Sequence, residues 1–283
     1  MANFIIGVGA QFAGQALLKK VLENTEGVFF HPLGSLHVFD VLSGVLSEES
    51  QKKMATRALK NAVDTVVDAK DCSFMDVRFK CQLRAAKKLS ETQIKNINYI
   101  DLFRPGVMGA KFLSETTPEY LLVSESEVKK MANALGKETK IIMIVRDPVA
   151  RFVNAYRLVK NPKVAELNLE QFQKDFNKVK KTDPKWVENQ DQINQYETHF
   201  ERYSKYFDEV LLISYEAMLS QPMQTLKQFE QYLNLEIDPV VFSNQIHQEA
   251  NASKKDTVKP GVRDLLRKRF ESSHQFLDQK FSK

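Results

Sequence analysis

Two short stretches combine residue types and spacings suited to holding an anion. The first reads Gly9-Ala10-Gln11-Phe12-Ala13-Gly14-Gln15-Ala16 and lies between an apolar run and a helical one. Such a loop aims several backbone N–H groups at one point, and the positive end of the following helix adds to them, so phosphate or sulfate is favoured there. Gly9 and Gly14 have the spacing of the G-x4-G-K-[ST] loop, yet Gln15-Ala16 stand where Lys-Ser/Thr would be. A magnesium-dependent nucleoside-triphosphate kinase would therefore lack its lysine and its metal-holding hydroxyl. An ordinary tight βα turn fits the same residues, so the loop alone leaves both readings open. The second stretch is Arg146-Asp147-Pro148-Val149-Ala150-Arg151-Phe152-Val153-Asn154-Ala155-Tyr156. The planar fork of Arg146 can grip a phosphate at two points, and Asn154, two helical turns on, can donate its amide to the same group. A helix capped by Asp147 with Pro148 in its first turn accounts for those two residues, but it does not require Arg146 or Asn154.

These residues need strand ends and helix starts to position them. Residues 3–9 are a continuous apolar run closed by glycine, which reads as a buried strand. Leu17, Leu18, Val21 and Leu22 recur at helical spacing after it. A second short strand is expected at Gly27–Phe30, ending at His31-Pro32. Residues 47–66 and 82–98 have helical patterns, residues 107–112 suit a strand, and Ser126–Leu135 suits a helix. Lys140–Val145 is the clearest buried strand, and it delivers Arg146 at its C-terminal end, where ligands of open α/β sheets collect. Residues 160–206 are helical with a break at Thr182-Asp183-Pro184. Val210–Ser214 is a further strand, with a helix from about Gln221 to Leu233, a polar loop over 248–261 and a terminal amphipathic helix. Strands alternating with helices imply an α/β fold: a P-loop-like parallel sheet flanked by helices on both faces, with helical insertions. No repeat or linker divides it, so residues 1–283 are expected to form a single domain.

Composition narrows the class. Of the 283 residues, 43% are hydrophobic and 27% charged, which excludes disordered and low-complexity chains. The net charge of +5 is mild and its basic residues are interleaved with acidic ones, so no nucleic-acid partner is expected. No apolar run approaches the ~18 residues of a membrane helix, and no secretory leader is evident. The two cysteines, Cys72 and Cys81, make neither a disulfide framework nor a zinc site, so the expected location is the reducing cytoplasm. Five histidines without metal-ligand spacing give no expected metal site.

The chain resembles the sulfotransferases that use 3′-phosphoadenosine 5′-phosphosulfate (PAPS). Residues 146–151, Arg-Asp-Pro-Val-Ala-Arg, look like that family's 3′-phosphate motif. Ser114-Glu115-Thr116-Thr117-Pro118-Glu119-Tyr120-Leu121 resembles its G-E-x-[ST]-P-x-Y-L segment, and Val210–Glu216 resembles its strand ending in R-Y-E. Asn251-Ala252-Ser253-Lys254-Lys255 is similar to the late basic loop that closes over the nucleotide. The resemblance implies transfer of a sulfuryl group from PAPS to a hydroxyl or amine of a small-molecule acceptor, either a natural product or a saccharide, with no metal. Arg146 and Asn154, aided by Lys254 or Lys255, would hold the 3′-phosphate. Residues Ala10, Gln11, Phe12, Ala13, Gly14, Gln15 and Ala16 would receive the 5′-phosphosulfate through backbone amides and the Gln15 side chain.

The departures from the family carry information too. The family's first loop reads K-x-G-T-T, but here Phe12 replaces the lysine and Gln15-Ala16 replace the threonines. Gly34-Ser35-Leu36-His37-Val38-Phe39-Asp40 resembles the K-E-x-H-[FY]-F-D stretch, with Ser35 in place of the glutamate that serves as base in the glycan and bacterial branches. His37 then becomes the candidate base, because imidazole takes a proton near neutral pH. A structural histidine beside Phe39 is the alternative. His31 and Asp40 are the neighbouring titratable groups and, with Asp76 and Arg78, are expected to line the acceptor site, although Asp76 and Arg78 also suit an exposed strand. The contrasting expectation is a protein that keeps the nucleotide fold without catalysis.

Overall fold

The computed structural model describes residues 3–71, 73–253 and 258–281, with Ala250–Ser253 described by their backbone alone. In chain order the elements are β1 (Asn3–Gly7), α1 (Gln15–Glu23), β2 (Val28–Phe30), α2 (Phe39–Leu42), α3 (Glu48–Asp68), α4 (Val77–Glu91), β3 (Phe112–Thr116), α5 (Glu125–Leu135), β4 (Lys140–Val145), α6 (Pro148–Val159), α7 (Leu169–Thr182), α8 (Pro184–Ile193), α9 (Tyr196–Ser204), β5 (Val210–Ser214), α10 (Tyr215–Ser220), α11 (Pro222–Leu233), α12 (Pro239–Ser253), α13 (Pro260–Arg269) and α14 (Glu271–Phe281). The five strands form one parallel sheet in the order β2-β3-β1-β4-β5. Every strand therefore ends on the same edge of the sheet, and all the candidate site loops leave from that edge.

The central strands are buried on both faces, which explains their unbroken apolar runs: Phe4–Gly7 of β1 and Ile141–Val145 of β4 are buried. In β1, Ile6 faces Glu115 of β3 on one side and Ile141 of β4 on the other. Leu17, Leu18, Val21 and Leu22 bury one face of α1 in the main core. A second, aromatic cluster forms where α6 meets the polar helical region. Phe152 and Tyr156 pack with Phe172 and Phe176 of α7, Trp186 of α8 and Phe270 after α13, at ring separations of 5.5–6.1 Å. Burial of each such ring stabilises by about 1.5–3 kcal/mol, so α6 and the Arg146 that precedes it are firmly held.

Several expected boundaries move. The third strand lies at Phe112–Thr116 rather than 107–112, because residues 104–109 turn, with Gly109 at φ +88°. Helix α4 begins at Val77, earlier than expected, because the Asp76 carboxylate caps it by accepting from the Phe79 N–H at 2.7 Å. The stretch around Asp76 and Arg78 is thus a helix start and not an exposed strand. Helix α12 runs through Ser253 into the segment expected as loop; Phe242 and Ile246, one turn apart, anchor it in the core. The Thr182-Asp183-Pro184 break separates α7 from α8, and Asp183 caps α8 through the Trp186 N–H. Among the described residues, no helix is long and apolar enough to cross a membrane.

Candidate active site

The first loop leaves β1 and enters α1 through two left-handed residues, Phe12 at φ +63° and Gly14 at φ +85°. Gly14 is required by more than its φ. A Cβ there would stand 2.9 Å from the Met218 methyl and 3.1 Å from the Tyr215 ring. The Ala10 amide is already engaged, donating to the Ile144 carbonyl at 2.5 Å, and that of Ala13 reaches back to Ala10 at 3.3 Å. The amides of Gln15, Ala16 and Leu17 open the helix and have no intrahelical acceptor. These are the donors the loop presents, with the helix dipole behind them. Gln15 does not add to them as expected. Its amide NH2 turns back onto the Gly9 carbonyl, and its Oε1 is buried without a partner. The free donors of the loop are therefore backbone amides. The Ala10 amide, spent on the Ile144 carbonyl, is not among them.

Arg146 follows β4 and is 5% exposed. Its Nη1 donates to the Phe12 carbonyl at 2.9 Å, and its guanidinium lies 4.4 Å from the centre of the Tyr215 ring. The two anion-suited stretches of the sequence are therefore in direct contact, across 134 residues of chain. The segment 214–216 completes the arrangement. Ser214 caps α10, Tyr215 forms the platform, and Glu216 accepts from the Asp147 N–H at 2.9 Å. Arg151, in the same motif, is instead fully buried. It donates to the Asn194 side chain at 2.5 Å and to Gln190 at 3.0 and 3.2 Å, which ties α6 to the end of α8. Tyr196 then donates to the Arg146 carbonyl at 2.9 Å. Asn154 uses its Oδ1 to accept from Arg157 at 2.7 Å, leaving its NH2 as the group able to donate to an anion. Lys254 and Lys255 lie outside the described residues.

A titratable cluster stands on the adjacent loop. His37, at φ +53°, hydrogen-bonds through Nδ1 to Asp40 Oδ2 at 2.8 Å, and Glu119 Oε2 lies 3.9 Å from the same nitrogen. Asp40 is wholly buried. Burial opposes charge on His37, but the hydrogen bond to Asp40 and the carboxylates of Asp40, Glu119 and Glu115 outweigh it, so its pKa is raised above the ordinary 6.5. Glu115 is also wholly buried; burial pushes its carboxyl up to about 6, although Thr117 and Tyr99 donate to it at 2.6 and 2.9 Å. Gln11 donates to Glu119 at 2.6 Å and so links the first loop to the His37 cluster. The ligand-type atoms of His37, Asp40 and Glu119 lie within 4.8 Å of one another, a grouping that sequence spacing did not reveal. It could hold a cation or serve as a hydrogen-bonded proton relay.

The remaining candidates lie apart from this cluster. His31 is completely buried, packed edge-on against Phe103 and hydrogen-bonded to the Leu102 carbonyl at 3.0 Å and the Leu33 N–H at 3.1 Å. Burial lowers its pKa to about 4, so it is a neutral core residue with no face toward an acceptor. Asp76 is spent on capping α4. Arg78 lies 3.5 Å from Glu23 at the C-terminal end of α1 and over the Phe29 ring, near the opposite end of that helix from the first loop. Sequence reasoning missed Glu119 and Tyr215 as individual contributors, although both stand inside segments it had singled out.

Comparison with known proteins gives a family and a fold. The family described as "Sulfotransferase domain" matches residues 52–276, a span that begins within α3. Mouse heparan sulfate glucosamine 3-O-sulfotransferase 3B1 is 29% identical over 141 residues, covering 48% of this chain and 34% of that protein. The human 3B1 protein matches to the same extent. The chain thus corresponds to about a third of the length of these curated relatives. In three dimensions, a sulfotransferase from Alicyclobacillus acidocaldarius superposes with a TM-score of 0.60 at 17% identity, covering 100% of this chain and 97% of that one.

Proposed function

We propose that this chain, which belongs to the sulfotransferase family, moves a sulfuryl group from PAPS to a hydroxyl or amine of a small-molecule acceptor, a natural product or a saccharide. The observation that carries this reading is the contact of buried Arg146 with the first loop, beside a His37–Asp40 pair linked to that loop through Gln11 and Glu119. The residues present suit a nucleotide bearing anionic groups at both its 3′ and 5′ ends. Arg146 and the Asn154 amide would hold the 3′-phosphate, and the amides opening α1 would receive the 5′ end. Bound there, the donor supplies an activated sulfuryl group.

Phe12 removes the lysine found in the family's first loop, so the amides opening α1 and the helix dipole behind them would stabilise the leaving 5′ end, while Arg146 braces the loop through the Phe12 carbonyl. Fixed dipoles and one buried guanidinium, already oriented, can stabilise charge without reorganising, and this electrostatic preorganisation is commonly the largest part of catalysis. His37 would act as the base. With Nδ1 bonded to Asp40, Nε2 keeps its lone pair for the acceptor's proton, and Asp40 stabilises the imidazolium that results. Positioning of acceptor and donor supplies the rest.

The direct test is transfer of labelled sulfuryl from PAPS to an acceptor panel, with and without chelator. Transfer insensitive to chelator supports the reading. Transfer that requires magnesium and a nucleoside triphosphate would overturn it.

A further inference from the structure

A cleft of about 190 Å³ opens between the loop carrying His37 and the inward face of α3. Leu33, Leu36, Ala55, Ala58 and Leu89 make it largely apolar, and its polar groups come from Ser35, His37 and Gln51. Ser35 donates its proton to the Thr116 carbonyl at 2.6 Å, so it is held in place from within the fold. Gln51 differs: it is 1% exposed, and its side-chain Oε1 is buried with no hydrogen-bond partner. A polar atom buried without a partner destabilises the fold, and native proteins keep few of them. Gln51 also lies on the same helical stripe as Ala55 and Ala62, where small residues face inward. An unpaired acceptor at one end of that stripe, in a cleft shared with the candidate base, indicates a missing donor from a ligand.

We infer that this cleft is the acceptor subsite, that it takes an apolar molecule about the size of one ring, and that Gln51 is its specificity-determining residue. The inference rests on the sulfuryl-transfer reading above and names the acceptor class. The size follows from volume, since a dry cavity of roughly 150 Å³ is enough for benzene. In this arrangement the reacting hydroxyl faces His37, and a second O–H or N–H of the acceptor donates to Gln51 Oε1. A saccharide unit would leave several hydroxyls unpaired against the leucine and alanine wall, which selects against it.

The test uses the full chain saturated with 3′-phosphoadenosine 5′-phosphate, titrated calorimetrically with phenol, resorcinol, hydroquinone and glucosamine. At least one dihydroxybenzene should bind tenfold or more tightly than phenol. Gln51→Leu should erase that advantage and melt no lower than the parent, because the amide oxygen it removes has no partner. Ala58→Phe should fill the cleft and abolish ring binding while nucleotide affinity is kept. An advantage that survives Gln51→Leu, glucosamine binding as tightly as the rings, or a lowered melting temperature for Gln51→Leu would each overturn the inference. Ring titrations without nucleotide separate the two readings. Gln51-dependent ring binding with no nucleotide binding would sink the donor assignment alone. Nucleotide binding without ring binding would sink the cleft assignment alone.

Discussion

Arg146→Lys keeps the positive charge and removes the planar fork, so it separates geometry from charge. In the parent, the guanidinium is 5% exposed, lies 4.4 Å from the centre of the Tyr215 ring and donates to the Phe12 carbonyl at 2.9 Å. A desolvated cation–π contact is worth about 2 kcal/mol, and a hydrogen bond from a charged donor about 1.5–3 kcal/mol. Lysine retains part of each but not both at once, because a single ammonium on a flexible stem does not stack and reach two acceptors together. The Tyr215 and Phe12 contacts hold the fork in place with or without nucleotide. The affinity loss is therefore the one phosphate hydrogen bond that an ammonium forgoes, about 2 kcal/mol, or roughly 30-fold in Kd for 3′-phosphoadenosine 5′-phosphate. Calorimetric titration of parent and variant measures it directly. Repeating the titration at higher salt adds a control, because a buried contact is screened much less than an exposed one. Arg146→Ala should rank below Arg146→Lys, having lost the charge as well. Equal affinity for the lysine variant and the parent would refute the argument, since the site would then respond to net charge alone.

Three further outcomes follow from the same structure. The Asp40 hydrogen bond and charge raise the His37 pKa, so Asp40→Asn should shift the acidic limb of the rate profile to lower pH, while nucleotide affinity stays unchanged; an unmoved limb would remove His37 as the titrating base. Stability should fall as pH drops from 6.5 toward 4. His31 and His199 are buried with pKa values of about 4, so each contributes stability that is present above 6.5 and lost through that window, at most about 3 kcal/mol apiece. Glu115 opposes them: its folded pKa of about 6 lies above the ordinary 4.5, so its contribution is present below 4.5 and lost as pH rises through 6, about 2 kcal/mol. Urea midpoints at pH 7.5 and 5 should show the net decline, and His199→Gln should reduce it; an identical decline in that variant would exclude His199 as a cause. Gly14→Ala should weaken nucleotide binding, because its Cβ meets Met218 and the Tyr215 platform under Arg146; retained affinity, read by the same calorimetry, would show that the loop absorbs the methyl.

The elements with the strongest local signals were legible from the chain. Lys140–Val145 matches its strand residue for residue because a strand buried on both faces needs an unbroken apolar run. The helix after Arg146 was marked by Asp147 and Pro148, and Asp147 does cap it. What stayed hidden depends on contacts distant in sequence. Glu119 meets Gln11 across 108 residues, and nothing local marks His31 as a sealed core residue, since its surroundings come from Leu102 and Phe103. Arg151 looked like part of an anion motif yet is consumed by Asn194 and Gln190, which only the packing of α6 against α8 brings near. Gln51 carried a faint signal, a polar residue on an alanine stripe, but its unpaired oxygen appears only when α3 is set against the 33–37 loop.

The central claim is a nucleotide site assembled from the first loop and Arg146 without the family's loop lysine. Titrating the purified chain with 3′-phosphoadenosine 5′-phosphate, beside ATP with magnesium, tests it most directly. The account predicts tight binding of the bisphosphate, unaffected by chelator, and much weaker binding of ATP. No bisphosphate binding, or a preference for magnesium–ATP, would contradict it.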